Sequence, residues 1–299
     1  MAFYRYLEPK VQNLQYWKGE KGFKEGTAYQ EGKDTKKPGP ARKLDPLDEF
    51  SLVLVSLRVD LFIYDIADRF GISAGLASKI CNTWINFLYY ELKLIFPFPN
   101  QALIRKNMAK EFIKYSTSRI ILDCTEIFSE KPSSMLAQSQ TWSQYKHHNT
   151  WKILVCISPN GQVTFKSDAW SGKVSDKQIT QDSRVLELLE PGDNVMVDKG
   201  FEIEDIVPPG VRVNMPPSLQ SRRPFFAADT EKTMNIASVT IHVERAIQRI
   251  KTFHILDGNF PLSLAPYISQ VFTVCALLTN FWSPLLPPGD EDNHLKLAK

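Results

Sequence analysis

SRIILDCTEIF, residues 118–128, sets Ile120, Ile121 and Leu122 directly ahead of Asp123. Such a short run of branched and long apolar side chains predicts a buried strand, with a carboxylate where the apolar run stops. NVMVDKGF, residues 194–201, repeats the arrangement: Val195, Met196 and Val197 precede Asp198. A single acid at a strand end means little. Two such strands lying side by side in one sheet would bring both carboxylates to the same edge.

The segments around these two runs supply the rest of a sheet and its cover. TWKILVCISPNGQVTFKSDAW (150–170) reads as a hairpin, with Asn160-Gly161 turning between Ile153–Ile157 and Val163–Ser167. KQITQDSRVLELLE (177–190) has helical spacing, and GVRVNMPP (210–217) reads as a further strand. IASVTIHVERAIQRIKTFHIL (236–256) predicts a helix whose buried stripe is Val243, Ile247 and Ile250. Strands followed by helices predict a mixed sheet covered on its faces, an α/β domain.

Upstream the pattern is helical. LDPLDEFSLVLVSLRVD (44–60) starts with Asp45 as N-cap, Pro46 at the first helical position, and Asp48 and Glu49 toward the positive end of the dipole. In IYDIADRFGISAGLASKICNTWINFLYYEL (63–92), a short helix stops at Gly71 and Ser73 caps a longer one. Leu76, Ile80, Trp84 and Leu88 form that longer helix's apolar stripe, and Ser73, Ser78, Lys79 and Asn82 lie off it. Short helix, glycine turn, cap and second helix is the order of a helix-turn-helix, with polar rather than strongly basic groups offered to DNA. A small helical bundle used only for packing has the same order.

The chain has 299 residues, 43% of them hydrophobic, and a net charge of only +3. Residues 1–43 carry ten Lys or Arg against five Asp or Glu, and are rich in Gly and Pro from residue 17, so they read as a basic, flexible leader. Cys81, Cys124, Cys156 and Cys275 contain no CxxC pair, which argues against a disulfide scaffold or a zinc site and fits a reducing compartment. Gly258–Gly289 is free of charge but interrupted by Pro and polar residues, and predicts a buried C-terminal helix rather than a membrane span. There is no glycine-rich dinucleotide turn, P-loop or GxSxG elbow to suggest a small-molecule enzyme.

Two adjacent carboxylates repel unless a cation lies between them. A third acid is available in Glu244, at the border of its helix's apolar stripe, while Arg245 and Arg249 project from another face toward phosphates. A surface salt-bridge pattern accounts for the same spacing. Oxygen-only ligands point to Mg²⁺ or Mn²⁺. Lys146, His147 and His148, and also Lys199, are candidate phosphate contacts.

ILDCTEIF, TWSQYKHHNTWK, WSGKVSD, NVMVDKGF, NMPPSL and IHVERAIQRIK follow one another in an order that resembles the Harbinger-like DDE transposases. The resemblance includes the helix-turn-helix of LRVDLFIYDIADRFGISAGLASKICNTWINFL and runs from about residue 44 to residue 285. It implies an RNase H-like mixed sheet flanked by helices, preceded by a small all-α helix-turn-helix domain. The expected organisation is a leader over 1–43, the helix-turn-helix over 44–98, the endonuclease over 99–285 and a flexible tail over 286–299.

The implied activity is a metal-dependent DNA endonuclease or transposase that cuts and joins phosphodiester bonds by a two-metal mechanism. Asp123, Asp198 and Glu244 match the family's catalytic, metal-holding acids, and Asp176 matches a further recurring acid without an assigned ligand role. Double-stranded DNA and nuclear residence are implied as well, KDTKKPGPARK (33–43) being only a weak import signal.

Two departures stand out. Thr240 replaces a residue that is often basic in relatives, and residues 1–43 lack the Cys and His of a THAP zinc finger. Either the chain is a shortened product, or it finds its DNA by another route; a homodimer or a separate DNA-binding partner protein is expected. The rival readings are a transposase-derived DNA-binding protein with an idle nuclease, and a helical interaction module on an inert scaffold.

Overall fold

A computed structural model of the chain describes residues 2–12, 14–16, 42–198, 200–216 and 227–286, with the backbone alone for 227–235 and 237. Most of the expected leader (17–41), Lys199, part of NMPPSL and the tail after Leu286 lie outside these residues. The chain divides into two compact units, Met1–Glu91 with Phe253–Ile255, and Leu92–Thr252 with Leu256–Lys299.

The first unit is built from helices. α1 (Ala2–Val11) corrects the expectation that 1–43 is leader throughout: Leu7 and Val11 are fully buried, so this end is anchored by apolar burial. α2 (Pro46–Val59) has Pro46 at its first turn, and Asp45 stands at the N-cap position without making a side-chain cap bond. α3 (Ile63–Arg69) stops at Gly71, whose φ of +63° is the left-handed turn glycine favours. The Ser73 hydroxyl then accepts from the Leu76 N–H at 3.3 Å and opens α4 (Ala74–Ile95). Ile80, Trp84 and Leu88 are fully buried, as their spacing predicts.

Glu49, from the first turn of α2, is also fully buried. Its carboxylate accepts from the Trp84 indole at 2.9 Å, from the Tyr16 hydroxyl, and from Arg42 at 3.4 Å. A buried carboxylate is tolerated only with such partners. The acid read as complementing the helix dipole therefore also ties residues on both sides of 17–41 to the helices.

In the second unit, α5 (Gln101–Lys106) and a 3-10 turn lead into β1 (Ser118–Phe128). α6 (Met135–Thr141), β2 (Trp142–Ser143), β3 (His148–Ile157), β4 (Val163–Lys166) and β5 (Trp170–Ser171) follow. α7 (Asp176–Asp182), β6 (Asn194–Val197), β7 (Arg212–Asn214), α8 (Ala227–Lys251) and α9 (Ile268–Leu278) complete it. Among the described residues seven strands form one sheet ordered β2-β3-β1-β6-β7, with β4 and β5 also on β3. β3 is antiparallel to β1, and β6 and β7 run parallel to it, which makes the sheet mixed as expected.

Alternation along β1 assigns its two faces. Ile120, Leu122 and Cys124 join Leu154, Cys156, Val195 and Val197 in a cluster completed by Ile179 of α7 and by Val185 and Leu186. α8 packs against β1, β3 and β6, and none of its described buried residues belongs to that cluster. It covers the opposite face, where Ile121 and Asp123 stand.

Several boundaries differ from the sequence reading. The helix expected over 177–190 breaks at Arg184, whose φ is +60°, and continues only as a 3-10 turn. The helix expected over 236–256 starts earlier, at Ala227, and stops at Lys251. β3 begins at His148, five residues before the predicted hairpin strand. Leu262–Phe281 is long and apolar enough to cross a membrane by composition, but more than half of it is buried, including Ile268 and Val271–Leu278 of α9.

Candidate active site

In the parallel pairing of β1 with β6, Leu122 lies opposite Val197. The next residue on each strand is an aspartate, so Asp123 and Asp198 come level with each other. They are not equivalent. β6 ends at Val197 and Asp198 is exposed, whereas β1 runs five residues beyond Asp123. Asp123 ends the apolar run but not the strand: β1 covers the whole of SRIILDCTEIF, because the long β3 keeps pairing with it as far as Phe128.

Asp123 is half-buried, and burial is the main cause that lifts its carboxyl from the ordinary 3.8 to about 7. The Cys124 N–H, donating to Oδ1 at 2.7 Å, opposes this, while the charges of Glu244, Asp176 and Asp198 push the same way as burial. All four acids singled out in the sequence therefore act on one point. Among the described residues, no three carboxylates, imidazoles or thiols converge closely enough to cage an ion. The set is open, with Asp198 and Glu244 exposed. Carboxylate oxygens with mutual repulsion to relieve fit a hard divalent cation that keeps several waters.

A second cluster lies on the other face of β1 and was missed in the sequence. The Cys124 thiol is driven well above its usual range, by burial first and then by the neighbouring Asp176 carboxylate. Asp176, in the first turn of α7 behind its Ser175 cap, lies 3.2 Å from the Lys152 ammonium. Lys152 is also 3.9 Å from Glu126, which accepts from the Thr150 hydroxyl at 2.7 Å. Glu126 and Lys152 are direct cross-strand partners of opposite charge, a pairing that only the register reveals. Asp176 therefore reaches Asp123 and Cys124 electrostatically, while its ion pair is with Lys152.

Gly172, in the WSGKVSD element, belongs to this cluster by its size. A Cβ there would come 2.1 Å from the Thr150 hydroxyl and 2.7 Å from the Thr141 carbonyl. Only a hydrogen side chain fits.

α8 delivers Glu244 to the Asp123 side, but its arginines separate. Arg245 is exposed, and its charge, after burial, helps lower the nearby His242. Arg249, read in the sequence as a phosphate contact, donates to the Ser283 carbonyl at 2.7 Å and lines a cavity with Asn107, Asn160, Gln162 and Trp282. No acid of the cluster lines that cavity. The helical spacing gave its direction from the helix axis but not which neighbour stood there. Thr240 is buried. Lys251, unremarked in the sequence, donates to the Glu126 carbonyl at 2.8 Å.

The remaining candidates sit at separate surfaces. Ser73, Ser78 and Lys79 are exposed at the start of α4, and Asn82 is half-buried. Lys146 and His147 are exposed in the loop between β2 and β3, while the His148 ring packs on Phe128 with centroids 4.9 Å apart. Lys199 falls outside the described residues.

A family model described as DDE superfamily endonuclease matches residues 122–280, from the strand that carries Asp123 through α9. A second, described as helix-turn-helix of DDE superfamily endonuclease, matches residues 42–94, covering α2 to α4. No curated protein and no solved structure matches the chain.

Proposed function

The chain belongs to the DDE superfamily endonucleases and carries their helix-turn-helix segment, and from that premise we propose that it cuts and joins DNA phosphodiester bonds at Asp123, Asp198 and Glu244. The observation that carries this reading is the level placement of Asp123 and Asp198, with Glu244 acting on the same buried carboxyl. Asp123, Asp198 and Glu244 would hold Mg²⁺ or Mn²⁺, which in a two-metal site supplies an acidified water or 3′-hydroxyl and stabilises the leaving oxygen.

The chain's own contribution is positioning. The Cys124 N–H holds one Asp123 oxygen in a set orientation. The Asp176–Lys152–Glu126 cluster, with Glu126 on β1 and Lys152 on β3, fixes the strand on which Asp123 stands. Lys251, bonded to the Glu126 carbonyl, brings a positive charge beside the acids, where a phosphate must approach. The helix-turn-helix offers Ser73, Ser78 and Lys79 to duplex DNA, and Lys146, Arg245 and Lys199 would contact phosphates near the cut. On this reading the protein works in the nucleus, as a homodimer or with a separate DNA-binding partner protein.

The second reading, a transposase-derived DNA-binding protein with an idle nuclease, is favoured by the open arrangement of Asp198 and Glu244. One experiment separates the two. Labelled duplex DNA is incubated with Mg²⁺ and either the wild type or Asp198→Asn. Cleavage by the wild type and none by the variant supports the endonuclease. Binding without cleavage by both supports the idle form, and equal cleavage by both removes the acid assignment.

A further inference from the structure

β2 and β3 form a small hairpin, with Trp142 opposite Asn149 and Ser143 opposite His148. Its base is rigid: the buried Asn149 amide donates to the Gln138 carbonyl at 3.0 Å and to the Thr141 hydroxyl at 2.8 Å. Its tip is set by the Lys146 N–H on the Ser143 hydroxyl at 3.1 Å and by His147 at φ +52°. This frame presents Tyr145, 80% exposed, and Trp142, 43% exposed, to solvent. The Lys146 ammonium lies over one face of the Tyr145 ring, 4.5 Å from its centroid. Residues 142–148 include Lys146, His147 and His148 and no acid.

A buried apolar contact explains none of this, because the ring is in water. Interleaved aromatic and basic groups are the chemistry that holds single-stranded nucleic acid, the rings stacking on bases and the charges following the phosphates. The hairpin leads into β3, which pairs with the strand of Asp123 from Ile121 to Phe128, and the His148 ring packs on Phe128. The Lys251 ammonium, whose basicity is lowered mainly by burial, also feels the charges of Lys146, Asp257, Glu126 and Asp123.

We propose that Tyr145, held by the β2–β3 hairpin and backed by Lys146, is a stacking platform for an unpaired base of the DNA strand next to the carboxylates. Trp142 flanks it as a second aromatic surface. This rests on the endonuclease reading and adds to it: the bound substrate is locally melted or carries a protruding single strand. Tyr145 is a positioning residue in this role.

The test measures binding by fluorescence anisotropy, with EDTA present so that no strand is cut, for the full chain. The probes are a blunt duplex and the same duplex with a short protruding single strand. The wild type should prefer the protruding strand, and Tyr145→Ala should lose about fivefold to a hundredfold in affinity for that probe alone, the range of one stacked base. Tyr145→Phe, which keeps the ring, should bind like the wild type, and its recovery shows that folding is intact. Equal affinity of Tyr145→Ala and the wild type for the protruding strand would overturn the proposal while leaving the endonuclease reading in place. The same holds if the variant weakens both probes equally. No binding of either probe by the wild type would overturn both.

Discussion

Leu122 of β1 lies opposite Val197 of β6 in a parallel pair, so the residue after each, Asp123 and Asp198, is placed level with the other across adjacent strands. That register is what turns two distant aspartates into one site. It is held by burial on both flanks, since Leu122 and Val197 are fully buried, and a slip of β6 by one residue would turn Asp198 away from the face on which Asp123 stands.

The carboxyl of Asp123, lifted to about 7 by burial and by neighbouring acids, makes stability depend on pH. The unfolded aspartic acid titrates near 3.9, so between these values the folded protein holds a proton that the unfolded chain does not. This group's contribution is complete below about pH 4 and is lost as pH rises through about 7. A divalent cation binds the ionised form and reverses the trend. Melting temperatures with and without MnCl₂ should differ little near pH 5 and clearly near pH 8, with the cation stabilising.

The buried Glu49 is expected to hold the helical unit together. Glu49→Ala leaves the Trp84 indole N–H without its acceptor in a dry site and should cost about 1–3 kcal/mol. Glu49→Gln keeps an acceptor for the indole and should cost less. Urea titrations followed by Trp fluorescence rank the three proteins.

Gly172→Ala tests the cluster behind Asp123. The added methyl would displace the Thr150 hydroxyl from Glu126 or strain the Thr141 carbonyl, and overpacking of this kind costs about 1–3 kcal/mol. The loss should show as a lower melting temperature. Thr150→Ala, which removes the hydroxyl that the methyl would meet, should recover part of it in the double variant.

Arg249 and Arg245 should separate in their effects. Arg249→Ala removes a bond to the Ser283 carbonyl and should lower stability by about 1 kcal/mol with cleavage rates unchanged. Arg245→Ala, exposed on the helix that carries Glu244, should leave stability within about 0.5 kcal/mol and weaken DNA binding, increasingly so as salt is lowered. Stability and anisotropy measured on the same preparations distinguish the two.

The parts of the fold that were legible in the sequence are those where burial imposes a period. Ile120–Leu122 and Val195–Val197 announce two core strands, and Ile80, Trp84 and Leu88 announce the packed face of α4. The helix-turn-helix could be read because Gly71 and Ser73 perform identifiable jobs, a left-handed turn and a cap. β2 and β5 escaped notice because two residues cannot display a period. Arg184 broke a helix by adopting a positive φ that arginine does not signal. The Cys124–Asp176–Lys152–Glu126 cluster could not be seen because it depends on which strands pair and in what register, and α1 was hidden inside a segment whose composition is dominated by residues 17–43.

The central claim is that Asp123, Asp198 and Glu244 act together on divalent cations, and titration calorimetry with Mn²⁺ tests it most directly. The wild type should bind Mn²⁺, and Asp123→Asn, Asp198→Asn and Glu244→Gln should each weaken binding by about a hundredfold or more, the loss expected when a ligand rather than a remote residue is removed. Wild-type affinity retained in all three variants, or no binding by the wild type, would contradict the account.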